Sequence, residues 1–162
     1  MFGMSSVDPV ISLRHTLATL AYRLARAVEY APAEFANFPA GSGAKPVVAI
    51  LAHIGDLMDW AVSLVENNQK WNNAKPLPWN AEVSRVFAAL QLFDRKLSET
   101  EVSQEIANRL FQGPIADALT HTGQIAMLRR LSGSPQRGEN YYIADIAAGT
   151  VGLDQPAPRK TF

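Results

Sequence analysis

Leu13, Leu17, Leu20, Leu24 and Val28 recur at spacings of four or three, and this period is the strongest constraint in the chain. Positions so spaced share one stripe of an α-helix, whereas a half-buried strand needs alternation by two. Asp8-Pro9 supplies the start, a carboxylate cap followed by proline at the first helical position. The pattern predicts a first helix over Pro9–Tyr30. A second stripe, Ile50, His53, Leu57, Trp60 and Leu64, predicts a helix over Pro46–Glu66. A third, Val83, Phe87, Leu90, Phe93 or Asp94, and Leu97, predicts a helix over Asn80–Leu97 with Asn80 as its cap. Ser98 and Glu101 stand at capping-box spacing ahead of Val102, Ile106 and Leu110, which predicts a short extra helix. Gly113-Pro114 reads as a break that opens a last helix over Pro114–Leu131, closed by Ser132-Gly133.

Strand signals are almost absent. Amphipathic helices of this number in 162 residues predict an all-α fold, an antiparallel four-helix bundle with a short extra helix, over residues 1–133. "APAEFANFPAGSGAKP" and "WNNAKPLPWN" are connections, the first long enough to shape the mouth of a site. Residues 134–162 lack a long period. They are expected to form an irregular C-terminal tail packed on the bundle or on a partner subunit, with "YYIADI" as a short helix or an edge.

With no cysteine the chain has no disulfide, no thiolate ligand and no cysteine nucleophile, so a metal must rest on histidine, carboxylate or water. Fifteen basic residues balance fifteen acidic ones without a long block of either sign, which disfavours nucleic acid as a partner. "MFGMSSVDPVISLRH" lacks the basic and apolar segments of a leader, and charges interrupt the apolar runs, so no membrane span is expected. The expected compartment is cytoplasmic.

Against this pattern, "GPIADALTHTGQIAMLRRLSG" is anomalous. Its expected seam begins Asp117, His121, Gln124 before it reaches Leu128 and Leu131. His53 interrupts the seam of the second helix in the same way. If both seams face the interior, a carboxylate and two imidazoles meet in a low-dielectric space, and an unpaired carboxylate there costs several kcal/mol. A divalent cation is the simplest compensation: spacing of four lets one helix offer Asp117 and His121, and His53 completes three donors. Three protein ligands leave coordination positions open, as in catalytic sites. Asp56, one turn after His53, is a candidate extra ligand or a hydrogen-bond acceptor for an imidazole; a solvated face is its simpler reading. Gln124 is a candidate to orient His121 or to touch substrate, or is simply buried and polar.

"LAHIGDLMDWA" followed by "DALTHTGQIAMLRRL" resembles the DinB-like, or YfiT-like, superfamily of metal-binding four-helix bundles, over Pro9 to Leu131. The most specific words are His53 and the His-Xaa-Gly-Gln run at His121 to Gln124. The resemblance implies a metal held by residues at positions 53, 117 and 121. Position 117 is aspartate where the superfamily typically has histidine. A related branch, the mycothiol-dependent maleylpyruvate isomerases, carries an acidic residue there, so the replacement is compatible with zinc, nickel, iron or manganese. The chemistry implied is thiol-dependent transfer or isomerisation, with a low-molecular-weight thiol as cofactor, or metal-assisted hydrolysis of a small-molecule substrate. The competing reading is a non-catalytic metal- or ligand-binding bundle acting as a dimeric binding protein.

Other conspicuous residues have plainer readings. His15 lies beside its seam. Arg129, Arg130 and Arg137 suit the negative end of a helix dipole as well as an anionic substrate. Trp60 reads as core, whereas Trp71 and Trp79 in a polar loop read as a pocket rim or a subunit contact. Ile115, Leu119 and Ala126 make the last helix apolar on a second side, which suggests a homodimer or a covering tail.

Overall fold

The computed structural model describes residues 8–162. Residues 1–7, half of the stretch read for a leader, lie outside them. Five α-helices follow in order: α1 (Pro9–Val28), α2 (Val47–Val65), α3 (Trp79–Glu99), α4 (Gln104–Leu110) and α5 (Ala116–Leu131). Among the described residues there is no strand, only one isolated antiparallel bridge between Glu139 and Thr161. The fold is the all-α bundle that the periods predict.

α1 begins as expected, with the Asp8 carboxylate accepting from the Val10 N–H at 2.9 Å and Pro9 in the first turn. All five residues of its stripe are buried. It ends at Val28, two residues short of the expected Tyr30, which stands at φ 55° and leaves the helical path. The stripe of α3, from Val83 to Leu97, is likewise buried.

Three expected boundaries are corrected. Asn80 does not cap α3, because the helix begins at Trp79, whose buried indole packs edge-on against Phe35 at 5.6 Å. Trp79 is therefore core, not an exposed loop aromatic. Ser98 and Glu101 form no capping box: Ser98 sits inside α3 and donates to the Arg95 carbonyl, while Ser103 caps α4 by accepting from the Ile106 N–H at 3.3 Å. α4 then turns Ala107 and Leu110 inward and leaves Ile106 exposed. Gly113-Pro114 does not break the chain, since α4 runs into α5 through a π turn, Phe111–Ile115. Proline lacks an N–H and its ring crowds the preceding turn's carbonyl; a wider turn gives it room.

α1 and α2 each pack against α3 and α5. Arg14 holds Asp94 with two hydrogen bonds, at 2.9 and 2.8 Å, while Val28 and Val83 meet at the other end, so α1 and α3 are antiparallel. α2 and α5 form the second antiparallel pair, with His53 beside His121 and Trp60 beside Gly113. Between these pairs, α2 and α3 run the same way: Arg85 reaches the Ala52 carbonyl and Asp56, and Lys96 reaches Glu66. That sense requires a connection that returns along the bundle, and residues 66–78 provide it.

The return segment is pinned by carboxylates. Asp56 accepts from the Ala74 N–H at 3.1 Å, and Glu82 accepts from the Leu77 N–H at 2.8 Å. Arg85 bridges Glu82 at 2.6 Å, Asp56 at 3.3 Å and Asp59 at 3.4 Å. Its guanidinium lies so close to α2 that a Cβ on Gly55 would stand 2.7 Å from Nη2, which explains glycine there.

α2 is 19 residues long with a mean hydropathy of 1.6, so by length and composition it is apolar enough to cross a membrane, contrary to the expectation that charges keep every run short. In the fold it is covered by α3, α5 and the return segment, and 61% of its most apolar window is buried. Burial of this kind accounts for the composition.

Asp59 lies half exposed at the edge of α2, and desolvation holds its carboxyl above the ordinary range; Arg85 opposes the rise, and Asp56 and Glu82 add to it. A carboxyl whose folded pKa exceeds its unfolded one binds its proton more tightly in the fold. Its ionisation therefore costs stability as pH rises from the ordinary aspartate range, and the full cost is present above the folded pKa. Asp59→Asn is expected to raise the melting temperature at about pH 7 and to lose that gain near pH 3. Melts at the two pH values measure both arms.

The tail packs on its own bundle. Buried Glu139 accepts from the Tyr22 hydroxyl and from Arg26, which also donates to the Pro156 carbonyl. "YYIADI" contains a 3-10 turn, Tyr141–Ile143, and Tyr141 meets Tyr22 edge-on at 6.2 Å. Ile115 is in the core, while Leu119 and Ala126 line a depression with Gln136 and Tyr141 of the tail.

Candidate metal centre

The antiparallel crossing of α2 and α5 brings His53, Asp117 and His121 together, with one donor atom from each lying within 4.8 Å of the others. His53 Nε2 is 3.6 Å from Asp117 Oδ2, and His121 Nε2 is 3.5 Å from Asp117 Oδ1. The rings stand edge to face at 4.8 Å, 85° apart. Hydrogen bonds between such groups fall at about 2.7–3.2 Å, so these spacings are too wide for direct pairing. They run to the two different oxygens of Asp117, and with one donor taken from each residue the set lies within 4.8 Å, wider than the roughly 3.3–3.6 Å between tetrahedral donors with bonds of about 2.0–2.2 Å, so a bound ion would draw the three side chains slightly together. Two imidazoles and a carboxylate also form a donor set that suits first-row divalent cations.

The cluster lies in a groove at the edge of the bundle. Its side chains are 28%, 48% and 21% exposed for His53, Asp117 and His121. The expectation that Asp117, His121 and Gln124 face the interior is thus corrected. α5 turns Ala118, Thr122 and Ile125 inward, one position round the helix and in line with Ile115 of the π turn, and leaves Gln124 and Leu131 exposed. Half exposed, the Asp117 carboxylate is solvated and its charge requires no cation. A partly exposed ion pair contributes about 0–1 kcal/mol, so the cluster does little to hold α2 against α5. Buried Ile54, Ala118 and Ile125 do that.

Gln124 Oε1 lies 2.8 Å from His121 Nδ1. A carbonyl oxygen only accepts, so in this pairing Nδ1 is the donor, and the neutral tautomer that fits it presents the Nε2 lone pair on the side facing Asp117. His53 is backed by Trp71, edge to face at 5.7 Å, and Trp71 in turn rests on Trp60 at 5.9 Å. The return segment thus forms one wall of the groove, with Trp71 itself 43% exposed.

Asp56 is not part of the cluster. Three residues beyond His53 it points to the other side of α2, where it is 5% exposed and holds Arg85 and Ala74; it is neither ligand nor solvated. His15 is exposed on α1. Arg129 is buried and donates to the carbonyls of Ala27, Glu29 and Ser134, tying the ends of α1 and α5 together; burial lowers its pKa. Three of its five N–H donors go to backbone carbonyls and a fourth to the Ser134 hydroxyl, so the buried group serves the fold and not a substrate anion. Arg130 and Arg137 are exposed.

Beside the two histidines opens a cavity of about 690 Å³, lined by Ala40, Ala44, Ile50, Met127 and Leu128 together with Lys45, Thr120, Gly123 and Gln124. Asp117 and Thr120 border a second depression of about 390 Å³ with Trp60. A larger one, about 830 Å³ between the end of α1, the start of α3 and the tail, shares no residue with the cluster. Lys45 and Met127 carry no signal in the sequence, and Gly123 enters it only as a member of the His-Xaa-Gly-Gln run. A glycine inside a helix, which costs about 1 kcal/mol against alanine, was the further signal available there.

Fold and site together define a class: an all-α bundle with an open two-histidine, one-carboxylate cluster at a helix–helix groove. Comparison with protein-family models, curated proteins and solved structures finds no match to this chain in any of the three.

Proposed function

We propose that this chain is a divalent-metal protein of the DinB-like superfamily, with His53, Asp117 and His121 as ligands, acting as an enzyme on a small molecule. The observation that carries the reading is three donors within 4.8 Å of one another in an open groove that adjoins a cavity of substrate size. The words "LAHIGDLMDWA" and "DALTHTGQIAMLRRL" support the superfamily. When bound, a divalent ion supplies Lewis acidity to one further ligand, either a thiol for transfer or isomerisation or an oxygen for hydrolysis. The chain's own contributions are definite. Gln124 keeps the proton on His121 Nδ1, Trp71 shields one side of His53 from water, and the apolar cavity receives the body of the substrate.

One-to-one binding of zinc, nickel, iron or manganese at neutral pH, measured by calorimetry on untagged protein, tests the site; no binding overturns the reading. Small thiols added to cobalt-loaded protein separate the chemistries. A sulfur-to-cobalt charge-transfer band supports the thiol-dependent reaction. Ester or amide turnover without such a band supports hydrolysis, and neither supports the non-catalytic binding protein.

Asp117→His is expected to preserve uptake and to raise the preference for zinc over manganese, because a third imidazole softens the donor set and removes a negative charge. Competition calorimetry on both proteins reads the ratio. An unchanged ratio removes Asp117 from the ligand set.

A further inference from the structure

Gly123 lies inside α5, two residues past His121, with an ordinary helical backbone that any residue can adopt. A Cβ built there meets nothing within 4 Å. Neither strain nor packing therefore asks for glycine, although glycine weakens a helix interior. What position 123 does have is two neighbours of open space: it lines the 690 Å³ cavity beside His53 and His121, and also the depression of about 420 Å³ on the α1 side of α5. The first is walled by Ala40, Ala44, Ile50, Met127 and Leu128, and among the described residues Lys45 brings a positive charge to its lining. The second holds Arg23, the aromatic ring of Tyr141, and Gln136, whose Oε1 is buried without a hydrogen-bond partner.

We infer that Gly123 is the low point of a continuous binding groove, across which an elongated, monoanionic ligand with an apolar or aromatic body lies over α5. Its body fills the aliphatic cavity, where exposed Met127 adapts to its shape, and its anionic group pairs with Lys45. Its far end crosses at Gly123 toward the depression lined by Arg23, Gln136 and Tyr141. Residue 123 thereby sets ligand length: any side chain there projects into the crossing and confines the ligand to the cavity. The groove stands on its own lining; only the delivery of a reactive atom to the histidines rests on the metal reading.

The probe is 8-anilinonaphthalene-1-sulfonate, anionic and aromatic, titrated by fluorescence into the full chain in excess EDTA, so that failure of metal binding cannot mask the result. Wild-type protein is expected to bind one equivalent. Gly123→Leu is expected to weaken binding at least tenfold, and Lys45→Gln a few-fold. Gly123→Ala is expected to raise the melting temperature by about 2–4 °C while weakening binding, since alanine favours the helix as it narrows the groove. This opposition of sign is the diagnostic, and it survives if the leucine variant fails to fold. Absence of a stoichiometric site, or affinity unchanged in Gly123→Ala and Gly123→Leu, overturns the groove whatever the metal result.

Discussion

Replacing His121 by alanine is expected to abolish metal uptake while leaving the metal-free fold intact. The asymmetry follows from where the side chain spends its contacts. His121 is partly exposed, bonds only to Gln124 three residues on, and stands near Asp117 at a spacing too wide for a hydrogen bond. Its removal empties no core cavity. In the metal reading it supplies one of only three protein donors, and removal of a neighbour that merely orients a ligand already costs about 10–100-fold in affinity. A loss beyond about 100-fold is therefore expected. Thermal melts provide an independent check, since saturating metal at a hundred times Kd stabilises the native state by about 2.7 kcal/mol. The wild type should show that rise, and the variant should melt identically with and without metal. Uptake that survives in His121→Ala would remove α5's imidazole from the site.

The second large effect is expected far from the metal and in stability. Arg85→Met deletes the one cation shared by Asp56, Asp59 and Glu82, two of which are buried. Stranding buried charges typically costs about 3–5 kcal/mol, equivalent to a fall of roughly 6–20 °C in melting temperature for a domain of this size. The return segment hangs on the same carboxylates through Ala74 and Leu77. Trp71 is therefore expected to leave His53, visible as a change in tryptophan fluorescence before global unfolding. Adding Asp56→Asn and Glu82→Gln to Arg85→Met should recover part of the loss, because neutral amides tolerate the missing cation. A melting temperature unchanged in the single variant would show that the cluster is not a latch.

The helices were legible because their signals are local and redundant. Leu13 to Val28 and Val83 to Leu97 repeat one period several times, and a wrong residue at one position leaves the phase intact. Capping residues were less legible, since Asn80 and Ser98 had rivals one or a few positions away and tertiary burial of Trp79 chose between them. The inward stripe of α5 was misread for a related reason. Its buried line contains Ala118 and Thr122, weakly apolar residues that contrast little with the more exposed line of Asp117, His121 and Gln124 beside it. The three donors were nevertheless found, because four-residue spacing survives an error in which face is buried. Asp56 was misplaced because its partner, Arg85, stands 29 residues away and only the parallel run of α2 and α3 brings them together. The return path of residues 66–78 has no periodic signature at all.

The π turn at Phe111–Ile115 sets the azimuth of everything after it. In an α-helix each residue advances the side-chain direction by about 100°, so a wide turn that absorbs one extra residue re-indexes the downstream sequence by that angle. Asp117 and His121 thus occupy the angular slots that their preceding neighbours would hold in an uninterrupted helix. The groove with His53 is a consequence of this offset. α4 and α5 behave as two gears on one shaft, keyed at Pro114, and the direction in which the imidazole of α5 looks is decided half a dozen residues before it.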